Sequence, residues 1–279
     1  MLRISAFFLL ALAAVAQSAH EGNNPFPPYK IIGNIYYVGA DDVTSYLITT
    51  PKGHIVINAG YEDTVPIIEA GIRKLGFKPS DVKILLNGQA HFDHVAGLSG
   101  LQKVTGAKIW SSEREVAVLE SGGAKDPRWG REVTYPPVHV DHVVRDGETL
   151  RLGGVDLVAH LTPGHSIGCT TWTMKVADAG KSYDVVFVGG TTINPGVRFL
   201  KDPTWPGIAE DYQRTFQVLH SLPCDVFLGA HGGYYGMQEK VKRMNGPVNP
   251  FIDPQGYRDF IDKSERTFQA QLAAEKAER

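Results

Sequence analysis

The chain has 279 residues, of which 43% are hydrophobic and 21% charged, and its formal net charge is −2. This composition is typical of a globular protein with one large domain or two small ones. Because the charge is nearly balanced and the basic residues are scattered, the sequence excludes an extended nucleic-acid-binding surface and favours a small ligand.

The N-terminus has the pattern of a cleaved secretory signal. Arg3 precedes an apolar run, and the small residues Ala14-Val15-Ala16 follow it. The run is too short to span a bilayer, and no later segment is apolar enough to do so. We therefore predict a signal peptide at 1–19 and a mature domain at 20–279, periplasmic or secreted and not membrane-bound. The alternative is a buried N-terminal helix.

Strands and helices are predicted to alternate through the first half of the chain. After a Pro-rich lead-in come the strand-like runs IIGNIYYV, VTSYLITT and HIVINAG, separated by Gly, Asp and Pro. A helical pattern in TVPIIEAGIRKLGF leads to a buried strand, VKILLN. The remaining segments are predicted as a helix, a strand and a helix in LSGLQKVTG, AKIWSS and EREVAVLESGG.

Residues 122–137, rich in Gly and Pro, are predicted to form a long mobile loop that carries Trp129. Strands return in the second half, with a hairpin predicted at RDGETL, and two helices flank a strand in DVFLGAHGG. No linker or internal repeat is visible. We predict a single layered α/β domain whose strand ends deliver loop residues to one edge.

Three strand-like segments run into loops that contain potential metal ligands. The first loop offers Gln89, His91, Asp93 and His94, and the other two offer His165 and His231. Imidazoles with a carboxylate suit zinc. Residues two apart share a direction in an extended chain, whereas His94 faces elsewhere, so one segment could serve two ions. The remaining histidines are predicted to be surface or core residues: His20, His54, His139, His142, His160 and His220.

Three of these segments, QAHFDHVAG, TPGHSIG and GAHGG, resemble the ordered motifs of the metallo-β-lactamase superfamily. YPPVHVDHVVRDGETLRLGG, GCTTWTM and LPCDVFLGAHGG are also similar to the zinc β-lactamases of the third subclass, so the resemblance covers essentially the whole mature chain. It implies a four-layer αββα sandwich with a dinuclear zinc site.

The resemblance implies a first zinc held by Gln89, His91 and His165, and a second held by Asp93, His94 and His231. Where related thioesterases and nucleases carry an Asp that bridges both metals, this chain has Gly190, and where the first β-lactamase subclass carries Cys it has Thr191.

Two positions depart from the commonest pattern. Gln89 offers a neutral amide oxygen in place of an imidazole, so the first site is expected to bind zinc more weakly. Asn58 stands where many members of the superfamily have Asp, and a neutral partner would orient a ligand histidine less strongly.

The expected activity is hydrolysis of the β-lactam ring amide of penicillins, cephalosporins and carbapenems by a metal-bound hydroxide, with Asp93 orienting the nucleophile. By resemblance, Thr191 and Asn194 contact the substrate, and the Trp129 loop covers the site. Two alternatives stay open: a lactonase or thioesterase with the same fold, and a non-catalytic exported zinc-binding protein. Cys169 and Cys224 are either bonded to each other or buried as free thiols.

Overall fold

The computed structural model describes residues 20–278, and the predicted signal segment at 1–19 lies outside them. Within the described part, twelve strands form two sheets. The first sheet contains, in spatial order, β1 (Tyr29–Ile32), β2 (Ile35–Tyr37), β3 (Tyr46–Ile48), β4 (His54–Ile57), β5 (Val82–Leu86), β6 (Lys108–Ser112) and β7 (His142–Val144). The second contains β12 (Val226–Gly229), β11 (Lys181–Val188), β10 (Thr170–Asp178), β9 (Val155–Leu161) and β8 (Thr149–Leu152).

Seven α-helices accompany the sheets in the described chain. They are α1 (Val65–Lys74), α2 (Phe92–Val95), α3 (Leu98–Thr105), α4 (Glu113–Glu120), α5 (Ile208–Ser221), α6 (Met237–Lys242) and α7 (Pro254–Ala277). Short 3₁₀ turns lie at Glu62–Thr64, Pro79–Asp81, Gly130–Glu132 and Gly232–Tyr235. None of the helices between residues 20 and 278 has the length and apolarity needed to cross a membrane.

The strands of the first sheet are buried on both faces. On β4, Ile55 and Ile57 belong to the core that contains the second sheet, whereas Val56 packs with α1 and α3 on the opposite side. Alternate residues of a strand point to opposite faces, so an uninterrupted apolar run serves two cores. Residues Phe216 of α5 and Phe268 of α7 extend the first core beyond the second sheet. The resulting order of helices, sheet, sheet and helices confirms the predicted αββα sandwich.

The predicted hairpin at RDGETL is wrong. β7 pairs in parallel with β6 of the first sheet, whereas β8 pairs with β9 of the second. Gly147, with φ of +73°, provides the expected turn. The turn chemistry fixes a local reversal but not which sheet the next strand joins, and here the chain crosses between sheets.

Both cysteines are free thiols in the structure, with Cys169 buried and Cys224 partly buried. The sequence left open a disulfide between Cys169 and Cys224 or two free thiols, and the structure has the free thiols.

Candidate metal centre

Strands β5 of the first sheet and β9 and β12 of the second lead into the loops that carry the predicted ligands, and these loops meet at one edge of the molecule. Two contacts attach the loop after β5 to the second sheet: the Trp172 indole N–H donates to the Asn87 carbonyl at 3.1 Å, and the Thr170 amide donates to the Gly88 carbonyl at 2.7 Å. The side chain of Asn58 accepts from the Gly88 amide at 2.9 Å. This loop is therefore held from both sheets before it reaches Gln89.

Asn58 has a left-handed backbone conformation with φ of +63°, which Asn tolerates better than most residues. Its side chain supports the ligand loop through the backbone and makes no hydrogen bond to a histidine within the described chain.

The Gln89 side chain is fully buried, and only one end of its amide has a protein partner. Its Nε2 donates to the Gly189 carbonyl at 3.0 Å, which fixes the orientation of the amide because a carbonyl can only accept. Its Oε1 has no hydrogen-bond partner in the described chain. A buried acceptor without a donor is costly, and a bound cation would satisfy it.

His91 and His165 lie beside each other, with ring centroids 4.8 Å apart. The Nδ1 of His165 is 2.6 Å from the Thr192 carbonyl, so Nδ1 carries the proton and Nε2 keeps its lone pair. Burial lowers the pKa of His165 to about 4. Burial and the neighbouring His165 likewise hold the pKa of His91 well below its usual value. Both rings are therefore neutral at pH 7, which is the form that binds metals.

Asp93, His94 and His231 form the second group, and their donor atoms lie close together. Asp93 Oδ2 is 3.1 Å from His94 Nε2 and 3.4 Å from His231 Nε2, and the two Nε2 atoms are 3.2 Å apart. Atoms bound to one tetrahedral zinc at about 2.0–2.2 Å lie about 3.3–3.6 Å from one another. The triangle of donor atoms thus fits a single ion, and it is the cluster that the described chain offers as a metal-binding group.

Asp42 orients His231 from the side away from this triangle. Its Oδ2 lies 2.9 Å from His231 Nδ1, which leaves Nε2 to face Asp93. Burial alone would lower the pKa of His231, but hydrogen bonds to Asp42 and Asp93 raise it to about 9. Burial would raise the pKa of Asp93, but His94 and His231 lower it well below its usual value. A cation bound here must therefore displace a proton from His231.

Asp126 connects the loop at 122–137 to the first group of ligands. Its Oδ1 accepts from the backbone amides of Arg128 and Trp129 at 2.8 and 2.7 Å, and its Oδ2 lies 3.8 Å from His91 Nε2. The Arg128 Nε in turn donates to the Pro195 carbonyl at 2.6 Å. The loop is therefore linked to both sides of the site.

Glu115 of α4 is completely buried behind the His165 loop. Its Oε1 accepts from the Ser166 hydroxyl and, at 3.1 Å, from the Gly168 amide, while its Oε2 has no hydrogen-bond partner among the described residues. Burial raises the pKa of Glu115 to about 7. Glu115 thus fixes the chain on the C-terminal side of His165.

The two groups of ligands open into a cavity of about 310 Å³, with Trp129, Asn194 and Tyr234 among its walls. Asn194 therefore lies where the sequence analysis predicts. Thr191 does not line this cavity: it is buried, and its hydroxyl donates to Ser264 at 3.0 Å. It borders a larger neighbouring cavity of about 570 Å³ instead.

Four further residues support the site and were not among the predicted site residues: Asp42, Glu115, Asp126 and Thr192. Each contacts a ligand or a ligand loop that is far away in sequence; Asp42 and His231, for example, are 189 residues apart. Their residue types are common, and no local pattern distinguishes them. None of the histidines predicted to be surface or core residues joins the two groups; His142 and His220, for instance, pair with Glu148 and Glu265.

The sequence profile of the Metallo-beta-lactamase superfamily matches residues 38–231. The chain belongs to this superfamily. Among solved structures, it is similar to native FEZ-1 metallo-beta-lactamase from Legionella gormanii, with 46% identity and a TM-score of 0.90, covering 92% of this chain and 99% of that one. It is also similar to BJP-1, a subclass B3 metallo-beta-lactamase of Bradyrhizobium japonicum, with 38% identity and a TM-score of 0.86, covering 92% and 97%.

Curated relatives of this superfamily member match over shorter stretches. The probable metallo-hydrolase YqgX of Bacillus subtilis is 32% identical over 167 residues, which are 59% of this chain and 71% of that protein. The hydroxyacylglutathione hydrolase GloC of Haemophilus influenzae is 32% identical over 138 residues, 48% and 63% of the two chains. The chain thus spans well under the full length of these relatives. The protein is a hydrolase of the metallo-β-lactamase superfamily.

Proposed function

We propose that this protein hydrolyses the ring amide of β-lactams, including penicillins, cephalosporins and carbapenems, with two zinc ions. The observation that carries the proposal is the pair of donor groups, Gln89 with His91 and His165 and Asp93 with His94 and His231, opening into one cavity. The similarity to FEZ-1 and BJP-1 over more than nine tenths of each chain supports the β-lactam as substrate.

In this proposal one zinc is held by Gln89 Oε1, the His91 ring and His165 Nε2. The other is held by Asp93 Oδ2, His94 Nε2 and His231 Nε2. Bound there, zinc supplies a Lewis acid that polarises the carbonyl and acidifies water. Asp93 remains ionised at neutral pH and accepts a hydrogen bond from the attacking water, which it thereby orients. Asn194 contacts the substrate from the cavity wall, and Trp129, which lines the same cavity, limits the access of bulk water.

Gly190 argues against the thioesterase alternative, although several curated relatives are hydroxyacylglutathione hydrolases. A Cβ at this position would lie 2.5 Å from Cδ2 of the His165 ring. No side chain fits there while His165 keeps its place, so the Asp that bridges the metals in those enzymes has no counterpart here. A lactone remains the competing substrate, because the same metal-assisted attack on a carbonyl hydrolyses esters and amides.

The test uses purified mature protein with its zinc content measured. A chromogenic cephalosporin and a carbapenem are compared with a homoserine lactone and a hydroxyacylglutathione thioester. We expect two zinc ions per chain and turnover of the β-lactams. Turnover of the lactone or thioester alone would assign the other activity, and two bound zinc ions with no turnover would make the protein a zinc-binding protein.

Asp93→Ala provides the matched loss of function. We expect it to lose one zinc and at least 10²-fold in kcat/KM, since it removes a ligand and the group that orients water. Asp156→Ala, in a largely exposed part of β9, is the control and should retain both. Full activity of Asp93→Ala would contradict the assigned role.

We also propose that the protein is exported to the periplasm or secreted. The apolar run that follows Arg3 supports this. Expression of the full chain should give a protein whose N-terminus begins near residue 20, measured by N-terminal sequencing of the periplasmic fraction.

A further inference from the structure

The larger cavity beside the metal centre is formed by two loops and the last helix. It has a volume of about 570 Å³ and shares two residues, Thr192 and Tyr234, with the cavity that contains the ligands. Its far wall is α7, which contributes Phe260, Lys263 and Ser264. A substrate whose reacting carbonyl lies at the ligands can therefore extend past Tyr234 into this second space.

The walls of this second cavity combine apolar surface with unused hydrogen-bond donors. The rings of Tyr234 and Phe260 lie 4.8 Å apart and form its apolar side. Ser264 accepts the hydroxyl proton of Thr191, so its own hydroxyl proton is free to be donated.

Lys263 gives the cavity its positive charge. Lys263 is exposed, and within the described chain its ammonium group forms no ion pair and no hydrogen bond. The one carboxylate on the wall, Asp259, accepts from the Gln255 amide at 2.7 Å one turn earlier on α7. Asp259 keeps its negative charge but already accepts a hydrogen bond, whereas the Lys263 ammonium is free to pair with an anion. Lys263 lies about two helical turns beyond Gly256 on the same wall.

We propose that this cavity is a subsite for a carboxylate carried on the substrate's side chain, beyond the carboxylate that is part of the β-lactam nucleus, and that Lys263 selects for it. The inference rests on the proposed β-lactam hydrolysis. The substituent's apolar body packs against the rings of Tyr234 and Phe260, and its carboxylate accepts from the Lys263 ammonium and the Ser264 hydroxyl.

The test compares two penicillins that differ by one group: benzylpenicillin and its analogue with a carboxylate on the side-chain carbon. Lys263→Ala should raise KM for the carboxylated compound about threefold to fivefold, the range of a partly exposed ion pair, and leave KM for benzylpenicillin within a factor of two. Lys263→Glu should raise the first KM further. Lys276→Ala, on the last turn of α7 and away from the cavity, is the control and should change neither.

The salt dependence gives a second reading. Raising the ionic strength should weaken the wild-type preference for the carboxylated compound and have no such effect on Lys263→Ala, because salt screens exposed charge pairs.

The outcomes separate this inference from the proposed function. If Lys263→Ala raises KM equally for both penicillins, Lys263 recognises the nucleus and the subsite is wrong; if it changes neither, Lys263 binds no substrate. If the wild type hydrolyses neither compound, the proposed function fails. Equilibrium dialysis of the same two compounds against wild type and Lys263→Ala then decides the subsite, and equal binding overturns it.

Discussion

Glu115→Gln should change how the stability of this protein depends on pH. Glu115 has an ordinary pKa of 4.5 and, because it is buried, a pKa of about 7 in the folded chain. Between these values the folded protein holds a proton that the unfolded chain has lost. The contribution of Glu115 to the free energy of unfolding therefore falls as pH rises from about 4.5 to about 7, and the resulting cost is constant above that.

The magnitude follows from the same two values. Each pH unit between them corresponds to about 1.4 kcal/mol, so the cost at pH 8 is at most about 3.4 kcal/mol. A glutamine keeps an acceptor for Ser166 and Gly168 and carries no charge at any pH. The free energy of unfolding of Glu115→Gln minus that of wild type should therefore rise by about 1–3 kcal/mol as pH is raised from 4.5 to 8.

The assay is urea denaturation of both proteins at several pH values after metal removal, so that protonation of the metal ligands cancels in the comparison. Glu113→Gln, an exposed position on the same helix, is the matched control and should run parallel to wild type. If the curves of Glu115→Gln and wild type are also parallel from pH 4.5 to pH 8, the buried carboxyl is ionised throughout and the reasoning is refuted.

Three other substitutions test the metal centre by chelator competition. Gln89→His should raise the zinc affinity of the first site, since imidazole is the better donor; unchanged affinity at both sites would show that Gln89 is not a ligand. Asp126→Asn should lower first-site affinity about tenfold, because an amide presents a donor to His91 in place of an acceptor, and equal losses at both sites would indicate a general structural defect. Asp42→Asn should weaken the second site by a similar factor and lower the pKa of His231, measured by NMR on the zinc-free protein; a pKa that stays near 9 would show that Asp93 alone sets it.

The layered fold and the ligand loops could be predicted because their signals are local. The strand VKILLN before Gln89 and the strand before His231 are short apolar runs that end at glycines and polar residues, and both appear as β5 and β12. From spacing alone, Asp93 and His94 are predicted to bind different ions, since adjacent residues of an extended chain face different directions. The structure places both in one group with His231 because the chain turns into α2 immediately after His91.

Other features depend on packing that no local pattern encodes. The residues around Gly147 predict a hairpin, but β8 pairs with β9 of the second sheet and not with β7. Thr191 lies in the predicted loop, yet its hydroxyl is turned towards Ser264, 73 residues further along the chain. Asp42 and Asp126 support histidines from loops whose sequences resemble those of ordinary turns.

The ligands of the second group come from opposite halves of the chain, with His94 following the first sheet and His231 following the second, 137 positions apart. An ion shared by them behaves as a removable cross-link between the two halves, and the binding free energy adds to the stability of whatever conformation presents all three donors. Scarcity of the ion would therefore shorten the lifetime of the folded chain as well as slow its chemistry, and proteases would clear the metal-starved form first.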